Sequence, residues 1–292
     1  QSWEGWARDV AKAAAIGSAF AAGGSAGAVA LMRRAPRTWW LPGAAIATAA
    51  GAAVTMGGPV LLDPLFNRFT PLEPGRTRED VLELAAAAGV RVREVYAVDA
   101  SRRTTAANAY VAGLGATKRV VLFDTLLEGF SRDEVRLVVA HELAHVRFRD
   151  VPRALAFLAL AAPLALLAVA ETAAAIGGDG EPGPHTVAPL ALALGLAGAP
   201  VALAGNRLSR AVERRADRFA LELTGAPEAF VSFQRAIALK NLADPAPPRM
   251  LARLLATHPP VLERIGGALA YEREVRPPGE APAAREAPAA RP

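Results

Sequence analysis

The sequence predicts a mostly helical α+β protein that crosses a membrane several times, with its polar domain split by a transmembrane helical hairpin. Three observations carry this. Four long uncharged apolar runs interrupt the chain, the polar segments between them show both helical and strand periodicity, and arginines cluster where the runs end. Hydrophobic residues make up 52% of the 292 and charged residues 21%, a balance too apolar for a disordered chain and high for a wholly water-soluble one. Cysteine is absent, which excludes disulfides, thiol nucleophiles and zinc sites built on cysteine. The net charge of +5 suits anionic lipid headgroups as well as nucleic acid.

The N-terminal membrane region, residues 1–62, holds the first two runs, 13–32 and 39–62, of 20 and 24 residues. About 20 apolar residues cross a hydrocarbon core. The first run looks like a signal peptide, but it lacks a clear cleavage site and the second follows six residues later, so a membrane hairpin is the better reading. Gly23, Gly24 and Gly27 would let helices approach closely. The chain starts at Gln1 rather than Met, which leaves two readings open, a missing N-terminal portion or a reduced version. The third and fourth runs, 154–170 and 187–205, form a second hairpin, 154–205. Buried Ala-rich helices of a soluble bundle are the alternative for any single run, since Ala is only weakly apolar. Four such runs are hard to fit into one soluble domain.

Lys and Arg then set orientation. Twelve arginines lie on one side: Arg68, Arg76 and Arg78, then Arg136, Arg147, Arg149 and Arg153, then Arg207, Arg210, Arg214, Arg215 and Arg218. The loop 177–186 has none and carries Asp179 and Glu181. The polar segments 63–153 and 206–276 are therefore expected in the cytoplasm, beneath the cell membrane if the source is bacterial. Arg33, Arg34 and Arg37, between the first two runs, count against this orientation.

Within 63–153, residues 77–89 repeat apolar positions at helical spacing up to Gly89, and 92–98 alternate as a strand. Two further strands, 107–112 and 120–123, flank a glycine-containing turn, giving a small antiparallel sheet with an exposed edge. Ser131 followed by Glu134 fits a capping box and opens a helix to about Arg149. Within 206–276, helices are expected over 206–224, 228–242 and 260–274. The tail 277–292 has no apolar residue larger than Ala and is expected to be disordered.

The chemistry centres on His141-Glu142-Leu143-Ala144-His145. His141 and His145 are one helical turn apart, so both imidazoles project from one face and can share a metal. Two histidines, a third ligand and a water make an open zinc site. Zinc lowers the water's pKa, and Glu142 can take its proton. The pentapeptide also occurs by chance on surface helices. Here an apolar stretch precedes it, a strongly apolar run follows, and half of the four histidines fall on this turn. His185 falls in the loop assigned to the far membrane face. Glu213 is the best third ligand, and Asp217, one turn later, could hold the other nitrogen of a ligating histidine. A solvated charged helix remains the other reading of that stretch.

With these residues assembled, the chain resembles the integral-membrane zinc metalloproteases of the type-I CAAX prenyl protease family, with the heat-shock membrane proteases as a neighbouring branch. The resemblance runs from about 59 to 273. It includes Pro64-Leu65-Phe66-Asn67-Arg68-Phe69, Asn108-Ala109-Tyr110-Val111-Ala112-Gly113, Val121-Leu122-Phe123-Asp124-Thr125-Leu126-Leu127, the histidine pentapeptide, 209–220, Thr257-His258-Pro259-Pro260 and Glu263-Arg264-Ile265. It implies a gluzincin-like zinc protease domain with one zinc ion per chain on His141, His145 and Glu213, and Glu142 as base. It implies that Asn108, Ala109 and Tyr110 lie on an edge strand to which substrate adds as a β-strand. It also implies that His258 and Arg264 face the substrate or the oxyanion, His258 helping to stabilise it. Read alone, Asn108 would be a turn residue, His258 a helix-entry residue and Arg264 a solvated charge. The prenyl-protease branch carries more membrane helices ahead of the matching region than the two this chain has room for. Its enclosed intramembrane chamber is not assumed here.

The expected function is amide hydrolysis by a membrane zinc endopeptidase of the CAAX-processing type. Its partners would be peptide or protein substrates, C-terminally prenylated ones among them, and membrane lipid. A quality-control protease for misfolded membrane proteins would share the site without prenyl specificity. An inactive membrane scaffold is disfavoured, because ligands, base and a supporting carboxylate are all present. No nucleic-acid partner is expected, since the arginines cluster at membrane boundaries without interleaved aromatics.

Overall fold

A computed structural model describes residues 2–177 and 184–275. The acidic positions Asp179 and Glu181 and the tail 277–292, expected to be disordered, lie outside the described residues. Helix α1 (Trp3–Arg34) is longer than its apolar run. Ser2 caps it, its hydroxyl accepting from the Gly5 amide at 3.2 Å, so a polar foot precedes the run. Helix α2 (Trp40–Leu61) returns, followed by α3 (Asp63–Phe66) and a short strand β1 (Phe69–Pro71).

Next come α4 (Arg76–Ala87), β2 (Glu94–Val98), β3 (Ala109–Ala112), β4 (Arg119–Phe123) and α5 (Asp124–Gly129). The sheet order is β1-β2-β4-β3. It is mixed rather than antiparallel as expected: β2 and β4 pair in parallel, Val95 opposite Val120, and the other two pairings are antiparallel. The physical reason is burial. Val120, Val121 and Leu122 are wholly buried, and a strand apolar on both faces takes an interior place, so β4 inserts between its hairpin partner β3 and β2. The hairpin closes through Gly113, at φ +95°, where an added Cβ would stand 2.5 Å from the Thr117 carbonyl oxygen; only glycine fits. Among the described residues no strand pairs with the outer edge of β3.

Helix α6 (Arg132–Arg147) begins as the sequence predicts. Ser131 Oγ accepts from the Glu134 amide, and the Glu134 carboxylate accepts from the Ser131 amide at 2.8 Å. Its first turn is fastened to α4 by buried Asp80, which accepts from Arg132 at 2.6 Å and Arg136 at 2.5 Å. Val135, Val139 and Leu143 pack with Val81, Leu84, Val95 and Leu122 into the main core. Helix α7 (Asp150–Gly177) follows, then α8 (Val187–Thr224), α9 (Pro227–Lys240), α10 (Arg249–Leu255) and α11 (Val261–Val275). The fourth apolar run and the helix over 206–224 are one rod, α8, of 38 residues, about 57 Å long at 1.5 Å per residue. Helix α10 has no counterpart in the sequence reading, because it is too short for its periodicity to register.

Four helices, α1, α2, α7 and α8, are long and apolar enough to cross a membrane. Helix α2 packs on α7 and α7 on α8. The close approach expected at Gly23, Gly24 and Gly27 is absent, since a Cβ at any of them would meet nothing within 4 Å. It occurs instead at Gly51 of α2, where a Cβ would lie 2.9 Å from a Leu158 methyl. Phe20, Ile46, Leu160, Leu164, Leu192 and Leu196 point outward, an apolar surface that lipid, not water, solvates.

Candidate metal centre

Helices α6 and α8 pack together and supply the site. His141 and His145 extend from one face of α6 toward Glu213 on α8, and one donor atom from each falls within a 4.8 Å cluster. The two Nε2 atoms are 3.2 Å apart. Glu213 Oε2 is 3.3 Å from His141 Nε2, and Oε1 is 3.7 Å from His145 Nε2. Ligands about 2.0–2.1 Å from a tetrahedral zinc stand roughly 3.3 Å from one another, so the donor set has the size zinc requires. Glu213 is itself buried. His185 precedes α8 by two residues, some 40 Å along the rod from Glu213, too far to be a ligand.

A carboxylate faces each outer ring nitrogen. His141 Nδ1 lies 3.0 Å from Asp217 Oδ1, the position expected for Asp217. His145 Nδ1 lies 3.0 Å from Asp150 Oδ2. Such partners fix the tautomer and turn Nε2 toward a metal. Burial alone would lower the His141 pKa, but Asp217 and Glu213 beside it outweigh that and hold it at about 9; the pocket favours positive charge. Asp217 is gripped in turn by Arg264, at 2.8 and 2.5 Å, and Asp150 by Arg215. Arg264 thus acts on the carboxylate behind His141 while also lining the cavity beside Glu142.

Asp150 has no signal in the sequence reading. A residue five after His145 would leave the histidine face of a continuous helix. The chain instead breaks at Arg149, which takes a left-handed φ of 56°, and this returns Asp150 to the His145 ring at the start of α7. Arg210 is likewise unforeseen. Buried on α8, it donates to the carbonyls of Ala256 at 2.5 Å and Arg253 at 2.7 Å. Asn206 donates to the Leu254 carbonyl at 2.9 Å. Together they hold the segment that carries His258, whose Nε2 stands 3.6 Å from Glu213 Oε2 on a largely exposed ring.

Glu142 faces two cavities. One, of about 260 Å³, is bordered by Asn108, Phe233, Gln234 and His258. The other, of about 680 Å³, is bordered by β3, by Met56 and Pro59 of α2 and by Val151 of α7. Burial pushes the Glu142 carboxyl above the usual carboxylate range. Ala109 and Tyr110 lie on β3, the sheet edge beside α6, and Asn108 precedes it. The Asn108 backbone carbonyl accepts from the Phe123 amide at 3.0 Å, and its side-chain Oδ1 accepts from the Ala109 amide at 2.9 Å. The Tyr110 hydroxyl donates to Asp63 at 2.7 Å, tying the edge strand to the first residue of α3.

Residues 71–272 match the family model described as peptidase family M48. Among curated proteins, the chain is 31% identical over 246 residues to "Uncharacterized metalloprotease YhfN" of Bacillus subtilis, covering 80% of this chain and 57% of that protein. It is 33% identical over 226 residues to "CAAX prenyl protease 1 homolog" of Arabidopsis thaliana, covering 71% and 50%. The chain thus spans about half the length of these relatives. Among solved structures, the fold is that of S. mikatae Ste24p, with a TM-score of 0.80 at 23% identity, covering 91% of this chain and 67% of that one.

Proposed function

This chain belongs to peptidase family M48, and on that premise we propose that it is a membrane-bound zinc endopeptidase that cleaves an extended peptide laid along the free edge of β3. One observation carries the reading: Glu142 stands beside the converging His141, His145 and Glu213 donors and opens onto the cavities on both sides. A peptide added to β3 would run from one cavity to the other past Glu142, its backbone bonded to the strand's unpaired groups. Zinc, when bound, acidifies a water and polarises the scissile carbonyl. Glu142 takes the water's proton and returns it to the leaving amine. His258 donates to the carbonyl oxygen as charge develops on it. Asp217 and Asp150 keep the two imidazoles aimed, and Arg264 keeps Asp217 in place. The arginine-rich catalytic side faces the cytoplasm.

The substrate class we favour is a peptide with a C-terminal prenyl group. The larger cavity is walled partly by membrane helices α2 and α7, which suits a lipid-like chain entering from the bilayer. The Arabidopsis relative's name points the same way. The test compares one peptide, farnesylated and unfarnesylated, with purified full-length chain, zinc and a chelator. Zinc-dependent cleavage that is faster for the farnesylated peptide supports the whole reading. Equal rates leave a zinc endopeptidase of the quality-control type. No cleavage of either peptide by zinc-loaded protein removes the peptidase.

A further inference from the structure

The foot of α1 carries a second feature, apart from the metal centre. A cavity of about 540 Å³ lies between the first turns of α1, the 64–68 segment and the 102–103 loop. Its wall holds Arg8, Lys12, Arg68, Arg102 and Arg103, with Asp9 as the only carboxylate among its lining residues. Arg103 is matched by Asp9 at 2.6 Å and Arg102 by Asp99 at 2.8 Å. Lys12 reaches only the Leu65 carbonyl, at 3.2 Å. Among the described residues no carboxylate pairs with Arg8 or Arg68. Five cations against two carboxylates leave three positive charges unmatched around one concavity, and the N-terminus of a 32-residue helix adds its partial charge.

The depth of the cavity says what could neutralise it. Lys12 immediately precedes the apolar run 13–32, and Arg8 is one turn before it, about 6 Å along the axis. That is the thickness of the headgroup layer, about 5–8 Å on each side of the hydrocarbon core. The 64–68 segment reaches the same level, because it follows directly on the second apolar run. Trp3 and Trp6, exposed and edge-to-face at 5.7 Å, sit on the same stretch and are the side chains that favour a membrane interface.

We propose that this cavity holds the phosphate headgroup of an anionic phospholipid, in the leaflet on the catalytic side. A zwitterionic headgroup would bring a second, cationic end against Arg102 and Arg103, and Asp9, the one carboxylate among the lining residues, is already engaged by Arg103. The lipid would also have a structural effect. Apart from its two ends, α1 makes little contact with the rest of the chain. A phosphate between Arg8 and Arg68 would pin its foot to the segments leading into β3. The proposal rests on the membrane reading and is independent of the peptidase reading.

The test is native mass spectrometry of delipidated full-length chain in detergent, offered equal amounts of phosphatidylglycerol and phosphatidylcholine with identical acyl chains. The expected result is one phosphatidylglycerol retained with about tenfold or greater preference, given roughly a few-fold to tenfold per interfacial cation. The double variant Arg8→Gln/Arg68→Gln should lose the preference while keeping zinc stoichiometry, which reports an intact fold. Arg8→Lys/Arg68→Lys should keep it, as should Arg91→Gln/Arg93→Gln, which removes equal charge elsewhere. Equal retention of the two lipids by wild type, or undiminished preference in the Gln double variant, overturns the proposal. Displacement of the lipid by about 10 mM inorganic phosphate would make this a free-phosphate site and overturn the lipid assignment too.

Discussion

The metal centre and the membrane helices are built to opposite rules, and α8 belongs to both. Around the zinc donors, buried ionisable groups interlock: Asp217 lies between His141 and Arg264, and Asp150 between His145 and Arg215. In the membrane half, large apolar side chains such as Leu160 and Leu164 are more than two-thirds exposed and hold no specific partner. The contrast follows from solvent. A charge removed from water is stable only when paired, whereas a leucine facing lipid loses nothing. Substitutions in the first region should therefore have large, specific effects, and those in the second should mainly report topology.

The largest expected effect is at Glu213. Glu213→Ala leaves two histidines and no cysteine to substitute, so the protein should lose its zinc and with it all turnover; metal analysis after dialysis checks this. Stoichiometric zinc in that variant would transfer the ligand role elsewhere. Asp217→Ala and Asp150→Ala should each weaken zinc binding by about 10–100-fold, measured by competition with a chelator. If Asp150→Ala bound zinc like wild type, the pairing of one carboxylate with each histidine would be broken.

Away from the metal, Asp80 offers a gentler test. Hydrogen bonding from Arg132 and the charge of Arg136 hold its carboxyl below the usual range, against the opposing effect of burial. A lowered folded pKa contributes stability above the unfolded value near 4 and loses it as pH falls through the folded value. Asp80→Asn should cost about 2 kcal/mol at pH 7, a fall of about 5 °C in Tm, and the gap to wild type should close as pH drops below about 4. A gap independent of pH would mean that the pair is not the cause.

The smallest functional effect, and the sharpest statement about the membrane half, comes from single cysteines, since the chain has none of its own. His185→Cys should react with an impermeant thiol reagent from outside intact cells, and Thr257→Cys only after permeabilisation. The His185→Cys variant should keep activity. Labelling of both from one side would mean that α7 and α8 do not form a spanning hairpin.

What the sequence made legible was local. The capping box at Ser131 and Glu134 opens α6 because both partners lie within one turn, and the histidine pair needs only helical spacing to converge. Glu213 and Asp217 share a face for the same reason, and with cysteine absent and His185 set aside Glu213 was already the best third ligand across the 67 positions that separate it from His145, a choice the family resemblance then repeated. What stayed hidden depended on distant or exceptional geometry. Asp150 needed the left-handed break at Arg149. The parallel pairing of β2 with β4 needed knowledge of which strand is buried on both faces. The continuity of α8 was masked because its surface changes from lipid-facing to charged near Asn206 without any break in the helix.

The central claim, that Glu142 is the base of a zinc peptidase, is tested most directly by Glu142→Gln. The amide keeps the size of the side chain and cannot accept the water's proton. Purified variant and wild type are compared for zinc per chain and for cleavage of the same peptide. The account predicts one zinc in both and turnover in the wild type alone, lower in the variant by about a thousandfold or more. Wild-type turnover by a zinc-loaded Glu142→Gln protein would contradict it.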